Sequence, residues 1–291
     1  MHIKIEHETT YHYDEKVSLS PHVFRLFPRI PGRSELKSYH LSVEPPGYLR
    51  WVRDAADNDI ACYHIFENLS ELRVRVECEI TTLHKNPFDF VLTDGADVVP
   101  PRLTNAEASA LKVYQEIASP ESKGALSDFL NEKNIQPEGP ALDLLLALNR
   151  CVCESFDYSR REEAGTQSPL ETLEAGGGSC RDLAWLFVEA IRGIGFAARM
   201  ASGYLVTSGQ SEIGGDGDAG ALHAWAEVFL PGAGWVGFDP TNAVLVDDSY
   251  VPTAVGLTPS DTLPVEGSYY SPNPVKSHHS FHLSVEGITD E

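Results

Sequence analysis

The sequence predicts an α+β fold, with an all-β, sandwich-like part first and a helix-on-antiparallel-sheet core behind it. Three observations carry this. Residues 1–83 hold short alternating runs broken by prolines and glycines. Residues 139–245 switch from helical to strand periodicity, and the last two strand patterns are joined by a tight turn. Between them, residues 176–182 read Gly-Gly-Gly-Ser-Cys-Arg-Asp and run straight into an apolar helix pattern.

The elements follow in order. At the start, Ile3, Ile5, His7, Thr9, Tyr11 and Tyr13 alternate onto one face. Residues 39–43 and 72–80 alternate in the same way, which suggests a sandwich of immunoglobulin-like size. Pro87, Pro100 and Pro101 mark a change of character, and helical patterns follow at 106–117 and 127–133. Residues 141–156 form an amphipathic helix carrying Leu142, Leu145, Leu146, Leu148 and Val152. The next helix presents Leu183, Leu186, Phe187, Ala190 and Ile191 at i, i+3, i+4, i+7 and i+8, with Gly193 and Gly195 as its stop. Strands are expected at 197–206, 222–230 and 235–239, and a last one at 281–285. Residues 208–220 are rich in Gly, Ser and Asp, and read as a mobile loop that could act as a lid. The expected organisation is a β-rich domain at 1–83, a helical linker region at 84–138, the core at 139–245, and a C-terminal extension at 246–291 packed on the other domains.

Composition excludes several function classes. The 291 residues carry 43 acids against 22 Lys+Arg, a formal charge of −21. That field repels nucleic acid and anionic lipid, so neither is expected as a partner. No apolar run approaches a membrane span and no signal-peptide core is seen, so the expected location is cytoplasmic. Five cysteines without paired spacing read as reduced thiols. Cys62 and Cys78 lie in strand patterns as small core residues. Cys151 and Cys153 lack a second Cys/His pair, so no metal site is expected.

The chemistry centres on Cys180. A thiol at a helix start meets free backbone N–H groups and the positive end of the dipole, both of which favour thiolate. Arg181 and Asp182 read as a local surface ion pair. A thiol nucleophile needs a base, and the base an orienting group. His223 stands at a strand start and Asp239 at the end of the following strand. A three-residue turn at 231–233 would pair Trp225 with Asp239 and bring Asp239 within reach of His223 on the same face. An even loop without a bulge would separate them. The glycines before Cys180 read as room for a substrate backbone.

These residues resemble the transglutaminase-like cysteine enzymes. Gly-Gly-Gly-Ser-Cys180, His223-Ala-Trp225-Ala-Glu-Val and Phe238-Asp239-Pro-Thr-Asn242 match the three core motifs in order and spacing. His7-x-Thr9-x-Tyr11-x-Tyr13 and Phe24-Arg25-Leu26-Phe27-Pro28 resemble the β-rich N-terminal domain of bacterial members. The resemblance implies a papain-like core, a Cys180–His223–Asp239 triad and acyl transfer through a thioester, with no cofactor. Cys180 is then the nucleophile, His223 the base and later the acid, and Asp239 the orienter. Tyr158, in the segment ahead of the nucleophile, is a candidate oxyanion or positioning donor. Trp225 and Gly178 are candidates for the substrate pocket. The chain departs from many bacterial members at 255–259, which reads Val-Gly-Leu-Thr-Pro where a Gly-Arg-Asp-Tyr-like motif is usual. The expected substrate is a peptide or protein amide, with hydrolysis preferred over transamidation. The alternative is a vestigial protein-binding scaffold of the same fold.

Overall fold

The computed structural model describes residues 1–30, 34–83, 85–159, 165–206, 213–215 and 222–288. The first part is all strand: β1 (His2–Leu19), β2 (His22–Phe24), β3 (Glu35–Glu44), β4 (Tyr48–Arg53), β5 (Asp59–His64) and β6 (Leu69–Thr81). Helices α1 (Asn105–Leu111), α2 (Lys123–Glu132) and α3 (Ala141–Ser155) follow, then β7 (Asp157–Tyr158), α4 (Pro169–Ala175), β8 (Gly177–Gly178) and α5 (Cys180–Ile194). The chain continues through β9 (Ala198–Leu205), β10 (Ile213–Gly215), β11 (Leu222–Leu230), β12 (Gly234–Asp239), β13 (Val244–Leu245) and β14 (Tyr250–Gly256). It ends with β15 (Val265–Glu266), β16 (Tyr269–Tyr270) and β17 (Ser277–Ile288).

Two sheets form the β-rich part. One runs β10-β17-β1-β6-β3, with β16 also on β1; the other runs β15-β2-β5-β4. Their shared core includes Ile3, Ile5, Val17, Leu72, Phe24 and Tyr63. The alternation expected in β1 is present: Ile3, Ile5, His7 and Thr9 are buried, while Lys4 is exposed. His7 shares 2.9 Å hydrogen bonds with the Tyr204 and Thr9 hydroxyls, and burial pushes its pKa down to about 4. A neutral histidine therefore links β1 to β9.

The third sheet runs β13-β12-β11-β9-β14. Helix α5 covers one face, where Leu183, Leu186, Phe187 and Ile191 join Ala224, Ala226, Val228 and Phe238 in one apolar cluster. Burying side chains of this size is worth about 1.5–3 kcal/mol each. The opposite face meets the β-rich part through a smaller cluster of Ala201, Trp225, Tyr250 and Val255, with Ala56 against it. Asn58, fully buried in the β4–β5 turn, pairs with the Val255 backbone in both directions: its Nδ2 donates to Val255 O at 2.8 Å, and Val255 N donates to its Oδ1 at 2.9 Å.

Residues 246–291 supply strands to all three of these sheets. β14 is an edge strand of the third sheet, and β17 pairs with β1 from His2↔Ile288 to Tyr13↔Ser277. Pairing across the whole chain length leaves no local trace in sequence. In the stretch read as a linker, α2 buries Leu126 and Phe129 in the same cluster as α5. The expected lid at 208–220 lies outside the described residues, except for the backbone of β10, which pairs with β17. Among the described residues no helix is long and apolar enough to cross a membrane.

Candidate active site

The nucleophile candidate is built by the residues before it. Gly176 caps α4 in the left-handed region at φ 68°, which favours glycine. At Gly177 a Cβ would come within 2.4 Å of Asp157 O, across the parallel β7–β8 pair. At Gly178 it would meet Asp182 Cβ and Gln167 Oε1, each at 2.8 Å. Backbone conformation thus accounts for Gly176, and close packing for Gly177 and Gly178. Asp182 departs from its surface reading. It is buried, and its carboxylate accepts from Ser179 N (2.9 Å), Ser179 Oγ (2.8 Å) and Gln167 N (2.7 Å). It is the N3 partner of Ser179 in the capping box of α5, and it lies inside the fold rather than at the surface.

Capping fixes Cys180 as the first residue of α5, where the helix supplies its N–H with no acceptor. Apolar packing of Leu183, Trp185 and Leu186 anchors the helix, and Gly195 at φ 102° closes it. The β7–β8 pair sets Tyr158 opposite Gly178, beside this joint, with its ring mostly exposed.

Strands β11 and β12 position the other two residues. Leu230 pairs with Gly234 and Ala226 with Phe238, so the turn holds three residues, the odd length that keeps His223 and Asp239 on one face. The His223 Nε2–H donates to Asp239 Oδ2 at 2.7 Å. Asp239 is fully buried and accepts four further hydrogen bonds: Thr241 N at 2.9 Å and Asn242 N at 3.3 Å on Oδ1, Asn242 Nδ2 and Tyr250 OH at 2.7 Å each on Oδ2. Burial alone would raise its pKa, yet these donors and the His223 charge hold it below the usual carboxylate range. Burial pulls His223 down, but hydrogen bonds to Asp239 and Cys180 and the charges of both outweigh it and raise the imidazole to about 10. With Asp239 on Nε2, the Nδ1 nitrogen is left for the thiol. Cys180 and His223 are each under one-tenth exposed.

Three residues of this arrangement were not singled out in the sequence. Tyr250 reaches Asp239 from β14, eleven residues on, and no motif marks it. Asn242 sits inside the quoted Asp-Pro-Thr-Asn run but carried no role; an Asx-type turn signal was available there. Gly203 lies across from His223, and a Cβ there would come within 2.0 Å of Val251 O, where β14 shifts register. Trp225, next to His223 on the same face with ring centroids 6.5 Å apart, is fully buried. All five cysteines are free. Among the described residues no group of three or more His, Cys, Asp or Glu is arranged to hold a metal.

Comparison with known proteins finds likenesses over both parts of the chain. Residues 129–240 match the transglutaminase-like superfamily, and residues 3–81 match the bacterial transglutaminase-like N-terminal region. The chain is thus similar to transglutaminase-like proteins over its core and to their bacterial N-terminal region over its β-rich part. An uncharacterized protein of Mycobacterium tuberculosis is 28% identical over 280 residues, covering 92% of this chain and 87% of that one. A protein-glutamine gamma-glutamyltransferase of Pseudomonas aeruginosa is 29% identical over 126 residues, 41% of this chain and 18% of that one. A structure from Cytophaga hutchinsonii, provisionally assigned as a cysteine protease, shares the fold with a TM-score of 0.68 at 17% identity, covering 98% of each chain.

Proposed function

We propose that the chain is a thiol acyl-transfer enzyme acting on an amide of a peptide or protein, with Cys180 as nucleophile, His223 as base and acid, and Asp239 as orienter. The observation that carries this is the buried Asp239 carboxylate, which four other donors hold against His223 Nε2, leaving Nδ1 for Cys180. The thiol proton passes to His223 Nδ1, and the thiolate attacks the carbonyl carbon. The Cys180 N–H at the helix start donates to the resulting oxyanion, with Tyr158 as second donor. Collapse expels the leaving amine, which takes the proton from His223 and leaves a thioester on Cys180. Water activated by His223 then releases the acid; an amine in its place gives transamidation. We favour water. The Pseudomonas aeruginosa relative supports the amine route over the part it matches. A scaffold would not need an ionised carboxylate so fully satisfied behind a histidine.

The test is trapping. Intact protein incubated with an amide-peptide library should gain the acyl mass on the peptide containing Cys180, and hydroxylamine should remove it. Replacing Cys180 by serine should abolish the trapped thioester. Iodoacetamide should label Cys180 well ahead of Cys62 and Cys151 at neutral pH; equal rates, with no adduct, would favour the scaffold.

A further inference from the structure

Three of the five donors on Asp239 come from one short turn. Thr241 N, Asn242 N and Asn242 Nδ2 all lie between β12 and β13. β13 pairs back on β12 from Phe238↔Leu245 to Asp239↔Val244, and Ala243 sits in the left-handed region at φ 55° to allow it. A residue with a Cβ costs about 1–2 kcal/mol there, so the turn needs holding from outside. Two side chains of α3 do this. Cys153 Sγ–H donates to Thr241 O at 3.2 Å, and Asn149 Nδ2 donates to Val244 O at 3.1 Å. The two stand at i and i+4, so they share one face of the helix and reach both ends of the turn. Their neighbours Leu145, Leu148 and Val152 are apolar and join the main core. Asn149 is fully buried, and neither its Oδ1 nor the buried Thr241 Oγ1 has a hydrogen-bond partner among the described residues. An unpaired buried polar atom costs about 1–3 kcal/mol, so packing stability alone would favour an apolar side chain at 149. Burial first, then the charges of Asp239 and Glu154, push the Cys153 thiol up, which keeps it protonated and able to donate.

We propose that Asn149 and Cys153 are positioning residues for the triad: from α3 they hold the 240–243 turn, and the turn holds the Asp239 carboxylate against His223. The proposal rests on the roles given above to Asp239 and His223, and not on the substrate. Both α3 bonds end on main-chain oxygens, so the two residues act through the turn and not on the reacting atoms. Without them the Thr241 and Asn242 N–H groups move off Asp239 Oδ1, the carboxylate is free to rotate, and its bond to His223 Nε2 weakens.

NMR titration of the full chain, isotope-labelled at the histidine nitrogens, tests it. In the parent, Asp239 and Cys180 hold the His223 imidazole at about 10, and Tyr250 is the other titratable ring beside it. Cys153→Ala and Asn149→Leu should each lower the pH at which His223 titrates by about half a pH unit or more. Iodoacetamide labelling of Cys180 at pH 7 should slow about three-fold in the same variants. Cys153→Ser, which keeps a donor, should stay nearer the parent in both measurements. Cys151→Ala, on the same helix but with Ser155 as its partner at 3.8 Å, should change neither. A merely structural role would lower the urea midpoint and leave the His223 titration in place. If Asn149→Leu does not fold, Cys153→Ala and Cys153→Ser decide, since Cys153 is only half-buried. A His223 titration that stays at the parent's pH in Cys153→Ala and Asn149→Leu, or that Cys151→Ala moves as far, overturns the proposal. Should the His223 shift appear while no acyl adduct forms on Cys180, acyl transfer fails and the positioning stands. Should the adduct form without the shift, the positioning alone fails.

Discussion

Replacing Asp239 by asparagine tests the electrostatics behind the proposed nucleophile. The side chain keeps its shape, and Oδ1 can still accept from Thr241 N and Asn242 N. The charge that faces His223 is lost. In the parent, the imidazole stands at about 10 against an ordinary 6.5, which is about 5 kcal/mol in favour of imidazolium. Asp239 contributes to that effect through its hydrogen bond and its charge, and a hydrogen bond to a charged group is worth about 1.5–3 kcal/mol. Burial, which by itself disfavours imidazolium, is left to act on the variant. The protonated imidazole beside the thiol should then be disfavoured by about 10- to 100-fold. Iodoacetamide labelling read by peptide mass spectrometry across pH 5–9 measures this at Cys180. Cys78 serves as a blank, because burial pushes its thiol up to about 12. Asp239→Asn should label Cys180 at least ~10-fold more slowly at pH 7. A labelling profile like the parent's would show that Asp239 does not set the charge state of the pair. The reasoning would then be refuted whatever the activity.

Three further predictions concern the frame. Asn58→Ala leaves Val255 N and O unpaired inside the contact between the β-rich part and the third sheet. It should cost about 2–4 kcal/mol in urea unfolding, and an unchanged midpoint would argue that the two parts are not clasped there. Glu189 in α5 is fully buried, pairs with Arg192 at 2.9 Å and accepts from Ser119 N at 2.7 Å. Glu189→Ala strands a buried cation and should cost about 3–5 kcal/mol in melting or denaturant assays, while Lys4→Ala, at an exposed pair, should shift little. His7 gives an acid limb: its folded pKa of about 4 lies below the unfolded 6.5, so the unfolded chain binds more protons in that window. Stability should fall by up to about 3 kcal/mol as pH drops from 6.5 to 4, and His7→Gln should flatten that limb in unfolding measured across the range.

The legibility of the site followed the range of the contacts. Cys180 was readable because helix period, capping and glycine placement are local. His223 and Asp239 were readable because a hairpin converts a three-residue turn into a facial register, so parity alone brought them together. Tyr250 was not: it reaches Asp239 only because β14 joins the sheet on the far side of β9, with a shift between Pro252 and Ala254 that Gly203 makes room for. Asp182 was misread because a carboxylate beside an arginine looks like a surface pair until its burial under the α5 cap is seen. The placement of β17 against β1 likewise depends on pairing between residues more than 250 positions apart.

By itself, then, the sequence determined the class of fold and the three residues of the proposed triad, because short-range periodicity, turn length and capping chemistry encode them. Tertiary structure alone decided what surrounds them: the tyrosine and asparagine that hold Asp239 ionised, and the close contacts that require glycine at 177 and 178. Those depend on how sheets from opposite ends of the chain pack. Burial and long-range pairing set that packing, and no window of neighbouring residues contains it.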